Sequence, residues 1–312
     1  MIVFIGTKLL LFYWKQQAVP NILCIFASQE AFHTLMIATN SNFSLNCNGR
    51  LVELDRPKVM GILNLTPDSF YSDSRKQTEE AVRARVRQIL QEGGSIIDVG
   101  AVSTRPGAER AGREEEMERL RFGLSLVRQE APEAIVSVDT FRADVAKMCV
   151  EEFGAAIIND ISGGSLDGAM FKTIVRLGVP YVMTHMQSEA VYENVQREVF
   201  LFFAERVQRL YDLGAKDIIL DPGFGFGKTL EHNYTLMAHL EDFKEFRLPL
   251  LVGISRKSMI YKALDCTPAE ALNGTTALHS VALSKGADIL RVHDVKAAFE
   301  VIKLHSLCLS HT

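Results

Sequence analysis

The chain has 312 residues, 47% of them hydrophobic and 23% charged, with a net charge of −4. That composition buries a sizeable core, which excludes a disordered or collagen-like chain, and offers no excess of basic charge to neutralise a nucleic-acid backbone. The five cysteines are scattered and odd in number, with no C-x-x-C pair for zinc or dithiol chemistry, which fits a reducing, cytoplasmic compartment.

Residues 1–35 are far more apolar than the rest of the chain, but Lys8, Lys15 and Pro20 interrupt them. The uncharged runs fall short of the roughly 20 apolar residues of a membrane span, and no basic segment or small-x-small cleavage site marks a signal peptide. The sequence thus divides into an apolar N-terminal extension, 1–41, set apart from the working protein either because Met36 is the working start or because the extension is a poorly ordered appendage, and a domain over 42–312. No membrane partner is expected. Within that domain, residues 42–56 place Asn48-Gly49 between two short alternating runs, which predicts a β-hairpin able to plug the bottom of a barrel.

From Lys58 onward, β-branched runs alternate with amphipathic segments, the pattern of βαβ units in a parallel sheet. Eight strands are predicted, beginning near Lys58, Ser95, Ile135, Ala156, Tyr181, Asp217, Leu250 and Ile289. Segments such as EEAVRARVRQILQEGG lie between them, with apolar positions three and four residues apart and glycines at the end. The stretch from Lys58 to Thr312 matches the roughly 250 residues of an α/β (β/α)8 TIM barrel. An open doubly wound sheet would carry a G-x-G-x-x-G fingerprint after its first strand, and none is present.

A barrel builds its active site at the C-terminal ends of its strands, and polar residues fall there repeatedly. In chain order they are Asn64, Asp98, Asp139, Asn159-Asp160, His185, Asp221, Ser255-Arg256-Lys257 and Arg291-Val292-His293-Asp294. Taken singly, Asp98, Asp160 and Asp294 read as turn or helix caps. Together, the carboxylates of Asp139 and Asp221 and the amide of Asn159 suit a flat heterocycle rich in N–H donors. Arg291 and His293 suit a phosphate, and the Asn64 amide oxygen suits a Mg2+ shell. The loop DPGFGFGKT (221–229) superficially resembles a phosphate cradle but lacks the Walker spacing. The acidic run Glu114-Glu115-Glu116 reads as the solvated start of a helix, His185 as a hydrogen-bonded residue behind the site, and His279 as core packing.

The runs MGILNLTPDSF (60–70), STRPGA (103–108), SVDT (137–140), INDISGG (158–164), DPGFGFGKT (221–229), GISRKS (253–258), NGTTALHSVAL (273–283) and RVHDV (291–295) closely resemble the dihydropteroate synthase family, in that family's order. The resemblance covers essentially all of 50–303, departing at Ala101-Val102 before the STRPG run. It implies a pterin-binding barrel over 42–312 and a transferase of alkyl and aryl groups other than methyl. The implied reaction joins 4-aminobenzoate to 6-hydroxymethyl-7,8-dihydropterin diphosphate and releases diphosphate, a step of folate biosynthesis.

By that resemblance Asp139, Asn159, Asp221 and Lys257 bind the dihydropterin, with Met183 and Phe226 as apolar walls. Asn64 contacts Mg2+. Arg291, His293 and the Thr104-Arg105 pair hold or border the diphosphate, and Thr104, Arg105, Pro106, Ser255, Arg256 and Lys257 border the aminobenzoate. Asp139, Lys257, Arg291 and His293 carry the catalysis. Loops 65–76 and 101–112 are expected to act as covers that exclude water. The resemblance further implies a homodimer and competition by sulfonamides. The rival readings are a pterin-binding methyltransferase, which would call for a corrinoid-binding module, and a non-catalytic pterin-binding barrel, which would have lost Asn64, Lys257, Arg291 or His293. Lys257 alone would also suit a Schiff-base aldolase, but the neighbouring Ser255 and Arg256 favour binding.

Overall fold

A computed structural model describes residues 43–65, 75–102 and 111–310. The expectations for residues 1–42 and for most of loops 65–76 and 101–112, including Thr104, Arg105 and Pro106, lie outside the described residues. Among the described residues no helix is long and apolar enough to cross a membrane.

The hairpin comes first. β1 (Ser44–Cys47) and β2 (Arg50–Glu53) pair antiparallel around Asn48 and Gly49, whose φ values of 55° and 82° are the left-handed pair that a tight two-residue turn demands. Leu45 and Cys47 are buried while their neighbours are exposed.

β3 (Lys58–Asn64), β4 (Ile96–Gly100), β5 (Ile135–Asp139), β6 (Ile157–Asp160), β7 (Tyr181–Thr184), β8 (Ile218–Asp221), β9 (Leu251–Val252) and β10 (Ile289–Val292) form one parallel sheet in the spatial order β8-β7-β6-β5-β4-β3-β10-β9. Its two ends meet where the Leu220 N–H donates to the Pro249 carbonyl at 2.9 Å, giving the expected eight-stranded, nearly closed barrel. β9 is shorter than its LLVGIS run suggests. The chain leaves the ladder at Gly253 and turns through Arg256, whose φ is 53°, with the Lys257 N–H donating to the Ile254 carbonyl at 3.0 Å.

Between the strands run α1 (Arg75–Gln91), α2 (Arg113–Glu130), α3 (Ala143–Phe153), α4 (Met170–Leu177), α5 (Val195–Leu213), α6 (Leu230–Ala238), a 3-10 helix (Leu240–Phe246), α7 (Ser258–Tyr261), α8 (Leu272–Ser284) and α9 (Val295–Leu309). The Asn194 side chain caps α5 by accepting the Arg197 N–H, and Gly214 ends the same helix in the left-handed conformation.

Strand residues alternate between two cores, as a two-residue period requires. Val59, Leu63, Ile97, Val99, Val136, Val138, Met183, Leu220 and Val292 join the core beneath the helices. Met60, Ile96, Ile157, Val182, Ile219, Leu251 and Ile289 fill the barrel's lower interior, where Leu45, Cys47 and Leu54 close it from below. The hairpin is therefore the expected plug. One residue up the inward face the lining becomes polar on six of the eight strands, with Ile62 on β3 and Gly253 after β9 the exceptions, and that change of layer creates the site.

The acidic run at the start of α2 differs from its expected solvated placement. Glu114 is exposed, but Glu116 is fully buried, accepting from the Thr140 hydroxyl at 2.7 Å and pairing with Arg142. A helix that packs on the barrel turns one residue in each turn inward, and here that residue is a carboxylate with two partners.

Candidate active site

The upper interior layer is a connected polar network. Arg291, on β10, donates from Nε to Asp98 on β4 and from an Nη to Asp139 on β5, both at 2.6 Å. Asp98 also accepts from the Ser137 hydroxyl at 2.6 Å and from the Asn159 side-chain amide at 3.2 Å. Register explains the convergence: Asn64 pairs with Gly100, Gly100 with Asp139, and Asp139 with Asn159. At Gly100 a side-chain carbon would lie 3.5 Å from Asp139 Cβ and 3.8 Å from Asn64 Oδ1, so glycine leaves these two groups open to each other.

Electrostatics follow from burial. Burial raises the Asp139 carboxyl to about 7, against the pull of Arg291 and with Asp98 adding repulsion. Burial also works against the Arg291 charge, but Asp98 and Asp139 outweigh it and raise the guanidinium further. Two carboxyl groups thus share one guanidinium, and at Asp139 burial outweighs the help that Arg291 gives to its charge.

Across the mouth, Asp221 ends β8 and is buried. One of its oxygens accepts the Gly223 N–H at 2.9 Å, and the other lies 3.5 Å from the Thr184 hydroxyl. Burial raises its pKa, with Lys257 the foremost opposing charge. Lys257 donates to the Phe224 carbonyl at 2.5 Å, and its ammonium sits 4.5 Å from the centre of the Phe226 ring, a cation–π distance. Burial lowers the Lys257 pKa to about 8, with Asp221 resisting.

His293 stands just beyond β10. Its backbone N–H donates to Ser255 Oγ at 3.2 Å, and its ring Nδ1 lies 3.2 Å from the same oxygen. Ser255 Oγ, with one donor and two acceptor sites, serves both the backbone and the ring of His293. The ring is exposed to the mouth, yet the surrounding protein, and next the Arg291 charge, lower its pKa to about 4. It is neutral at pH 7 before any anion arrives.

The structure gathers Asn64, Asp139, Asn159, Asp221, Phe226, Ser255, Lys257, Arg291 and His293 at the strands' C-terminal ends or in the adjoining loops. Two expected residues are placed differently. Met183 belongs to the core beneath the helices, because alternation along β7 turns Val182 and Thr184 inward and Met183 outward; Thr184 holds the inward position beside Asp221. The Arg256 guanidinium is engaged by Asp294, from Nε at 2.7 Å and an Nη at 3.0 Å, and by the Pro268 and Ala269 carbonyls. It staples the loop that carries Ser255 and Lys257.

Asp98 is not the cap that its place at a strand end suggests; its pairing with Arg291 corrects that expectation. Asp160 keeps a capping role, accepting the Ser162 and Gly164 N–H groups. Asp294 serves the ion pair with Arg256 and gives α9 no side-chain cap. Arg85 on α1 is a residue that sequence reasoning misses: it donates to the Ile62 carbonyl at 3.2 Å and to the His293 carbonyl at 2.6 Å and so ties β3 to the His293 turn. Its position within an ordinary amphipathic helix carries no signal.

Among the described residues no three His, Cys, Asp or Glu side chains cluster as a metal site. The local donor set is the Asn64 amide oxygen beside the Asp139 carboxylate. That fits Mg2+, which keeps several waters and binds through one or two protein oxygens plus substrate phosphates, and it does not fit a metal held by a full protein cage.

A polar upper layer above an apolar floor, closed by a hairpin, defines a (β/α)8 barrel with a polar pocket at the C-terminal ends of its strands, where barrel enzymes bind their substrates. Residues 60–293 match the family described as pterin binding enzyme. Dihydropteroate synthase from Escherichia coli K12 is 41% identical in an alignment of 275 residues that covers 85% of this chain and 96% of that one. The structure of Xanthomonas albilineans dihydropteroate synthase with 4-aminobenzoic acid superposes with a TM-score of 0.79 at 37% identity, covering 86% of this chain and 98% of that one. The Yersinia pestis enzyme with a pterine-sulfa conjugate gives 0.77 at 35%, covering 86% and 100%. The chain belongs to the dihydropteroate synthase family of pterin-binding enzymes.

Proposed function

We propose that this protein catalyses the dihydropteroate synthase reaction, condensing 6-hydroxymethyl-7,8-dihydropterin diphosphate with 4-aminobenzoate at the barrel mouth. The observation that carries this reading is the single interior layer joining Asp98, Asp139, Asn159 and Arg291, with Asp221 and Lys257 facing it.

Asp221 accepts the amino-pyrimidine edge of the pterin as a planar two-oxygen acceptor. Asn159 supplies an amide beside it, and Lys257 donates to the ring's oxygen and nitrogen. Phe226 walls the pocket, with Thr184 in the place expected of Met183. The bond between the methylene carbon and the diphosphate oxygen breaks, and its electrons leave with the diphosphate. The positive charge left on the methylene spreads into the dihydropterin ring, where the ionised Asp139 stabilises it without accepting a proton. The aminobenzoate nitrogen then forms the new C–N bond and releases one proton.

Arg291 and His293 border the departing diphosphate. The arriving anion favours protonation of His293, which is neutral beforehand. Asn64 would hold Mg2+, which when bound offsets the diphosphate charge. Ser255 fixes His293 and borders the aminobenzoate, so sulfonamides, which imitate aminobenzoate, compete there.

The exposed Phe299, Leu304, Leu307 and Leu309 on α9, with Leu272 and Val281 on α8, support a homodimer through these helices. The free state of Cys47, Cys149, Cys266 and Cys308 supports a cytoplasmic setting.

The test is dihydropteroate formation from both substrates with Mg2+, in parallel with Asp139→Ala. Product from the parent and at least a hundredfold less from the variant is expected. Pterin binding without product from the parent would replace this reading with a binding protein.

A further inference from the structure

The loop between β8 and α6 is built around a lysine with no role in the proposed reaction. Lys228 folds back over its own loop, and its ammonium lies 2.9 Å from the Gly223 carbonyl, 3.1 Å from the Phe226 carbonyl, 2.9 Å from His185 Nδ1 and 3.3 Å from the His185 carbonyl. Burial lowers the pKa of the buried His185 to about 3, so its ring is neutral and Nδ1 can accept. The same loop is pressed onto the end of β7: a side-chain carbon at Gly223 would fall 1.9 Å from the His185 carbonyl, and one at Gly227 2.0 Å from that of Gln187.

The loop is therefore a set of inward carbonyls gathered around the Lys228 amine, whose pKa burial lowers to about 7, the reverse of the anion cradle its glycines suggest. From the other side Asn233 accepts the Gly225 N–H at 2.7 Å and donates to the Thr229 carbonyl at 2.6 Å. Between the two carbonyls that Lys228 holds sits Phe224, whose own carbonyl receives Lys257, and the Phe226 ring beneath the same ammonium completes the seat.

We propose that Lys228 is a positioning residue for Lys257: it fixes the Gly223–Phe226 backbone, and thereby the carbonyl and ring on which the Lys257 ammonium is seated. This inference rests on the reading of Lys257 as a pterin ligand. Lys228 touches neither substrate, and its effect should therefore vanish when Lys257 is gone.

The experiment measures the affinity of the full chain for 6-hydroxymethyl-7,8-dihydropterin by calorimetry, for Lys228→Met, Lys257→Met and the double variant. Lys228→Met should weaken binding about tenfold, and the double variant should bind within twofold of Lys257→Met alone. Lys228→Gln keeps two donors for the carbonyls and should recover part of the loss. It also stands in for Lys228→Met if that variant does not fold, with an expected threefold loss and the same non-additivity. Unchanged affinity in Lys228→Met, or additive losses in the double variant, would overturn the inference while leaving the pterin pocket intact. Unchanged affinity in Lys257→Met would overturn the pocket assignment and this inference with it.

Discussion

Asp98→Asn tests the central claim that a carboxylate with the sequence signature of a mere cap governs the charge at the reaction centre. Asp98 is fully buried and takes a 2.6 Å bond from Arg291 and another from Ser137. Removing one partner of a buried ion pair costs about 3–5 kcal/mol; Asp139 still holds Arg291, so a loss near the lower end, about 3 kcal/mol, is expected. In a domain of this size that lowers Tm by about 6–12 °C.

The functional effect is separate and has a definite sign. Asp98 is one of the charges that raise the Asp139 pKa. Two unit charges about 5–8 Å apart at an effective dielectric of about 20 interact by about 2–3 kcal/mol, or one and a half to two pH units. In the proposed reaction Asp139 stabilises the pterin cation only when ionised, so activity should fall as pH drops through its pKa, near 7 in the parent. In Asp98→Asn this acid limb should move down by one to two units. The assay is kcat/KM for the pterin diphosphate from pH 5 to 9, beside thermal melts. An acid limb that stays where it was, in a variant that has lost the expected stability, would show that Asp139 does not set the limb or that Asp98 does not act on it.

The same geometry sets two further outcomes. Thr184→Val keeps the shape of the inward β7 position but removes the hydroxyl beside Asp221, at about 0.5–1.5 kcal/mol. Pterin affinity should fall about threefold to tenfold by calorimetry, whereas Met183→Leu, beneath the helices, should leave it unchanged; equal effects at both positions would contradict the β7 alternation. For His279, burial lowers the pKa to about 4, and its Nε2 has no hydrogen-bond partner. Below pH 6.5 the unfolded chain binds a proton there that the native state does not, so this residue's contribution is lost as pH falls from 6.5 towards 4. The stability of His279→Gln relative to the parent should therefore improve by about 2 kcal/mol between pH 8 and pH 5, and a pH-independent difference in denaturant melts would refute it.

The alternation of β-branched runs and amphipathic segments specified the strand number and the barrel, because each element's period is a local property of the chain. Asn48-Gly49 likewise specified the hairpin turn through its left-handed backbone. The polar ring was legible because every barrel strand delivers its last inward residue to the same mouth. Only the tertiary structure decided which of those polar groups pair. Asp98 meets Arg291 across 193 residues of sequence, and a lone Asp at a strand end looks the same whether it caps a turn or binds a guanidinium. Arg256 has the look of a substrate contact until the fold brings Asp294 to it. At Met183 and Thr184 the two-residue period is in the sequence, but its phase is set by the face on which the barrel closes. Lys228 comes after three glycines whose spacing suggests an anion cradle, and the close approach to His185 and Gln187 turns that loop's carbonyls to the lysine instead. Local periodicity belongs to the chain, whereas partners and facing are fixed by contacts between segments far apart in sequence, made only when the barrel closes.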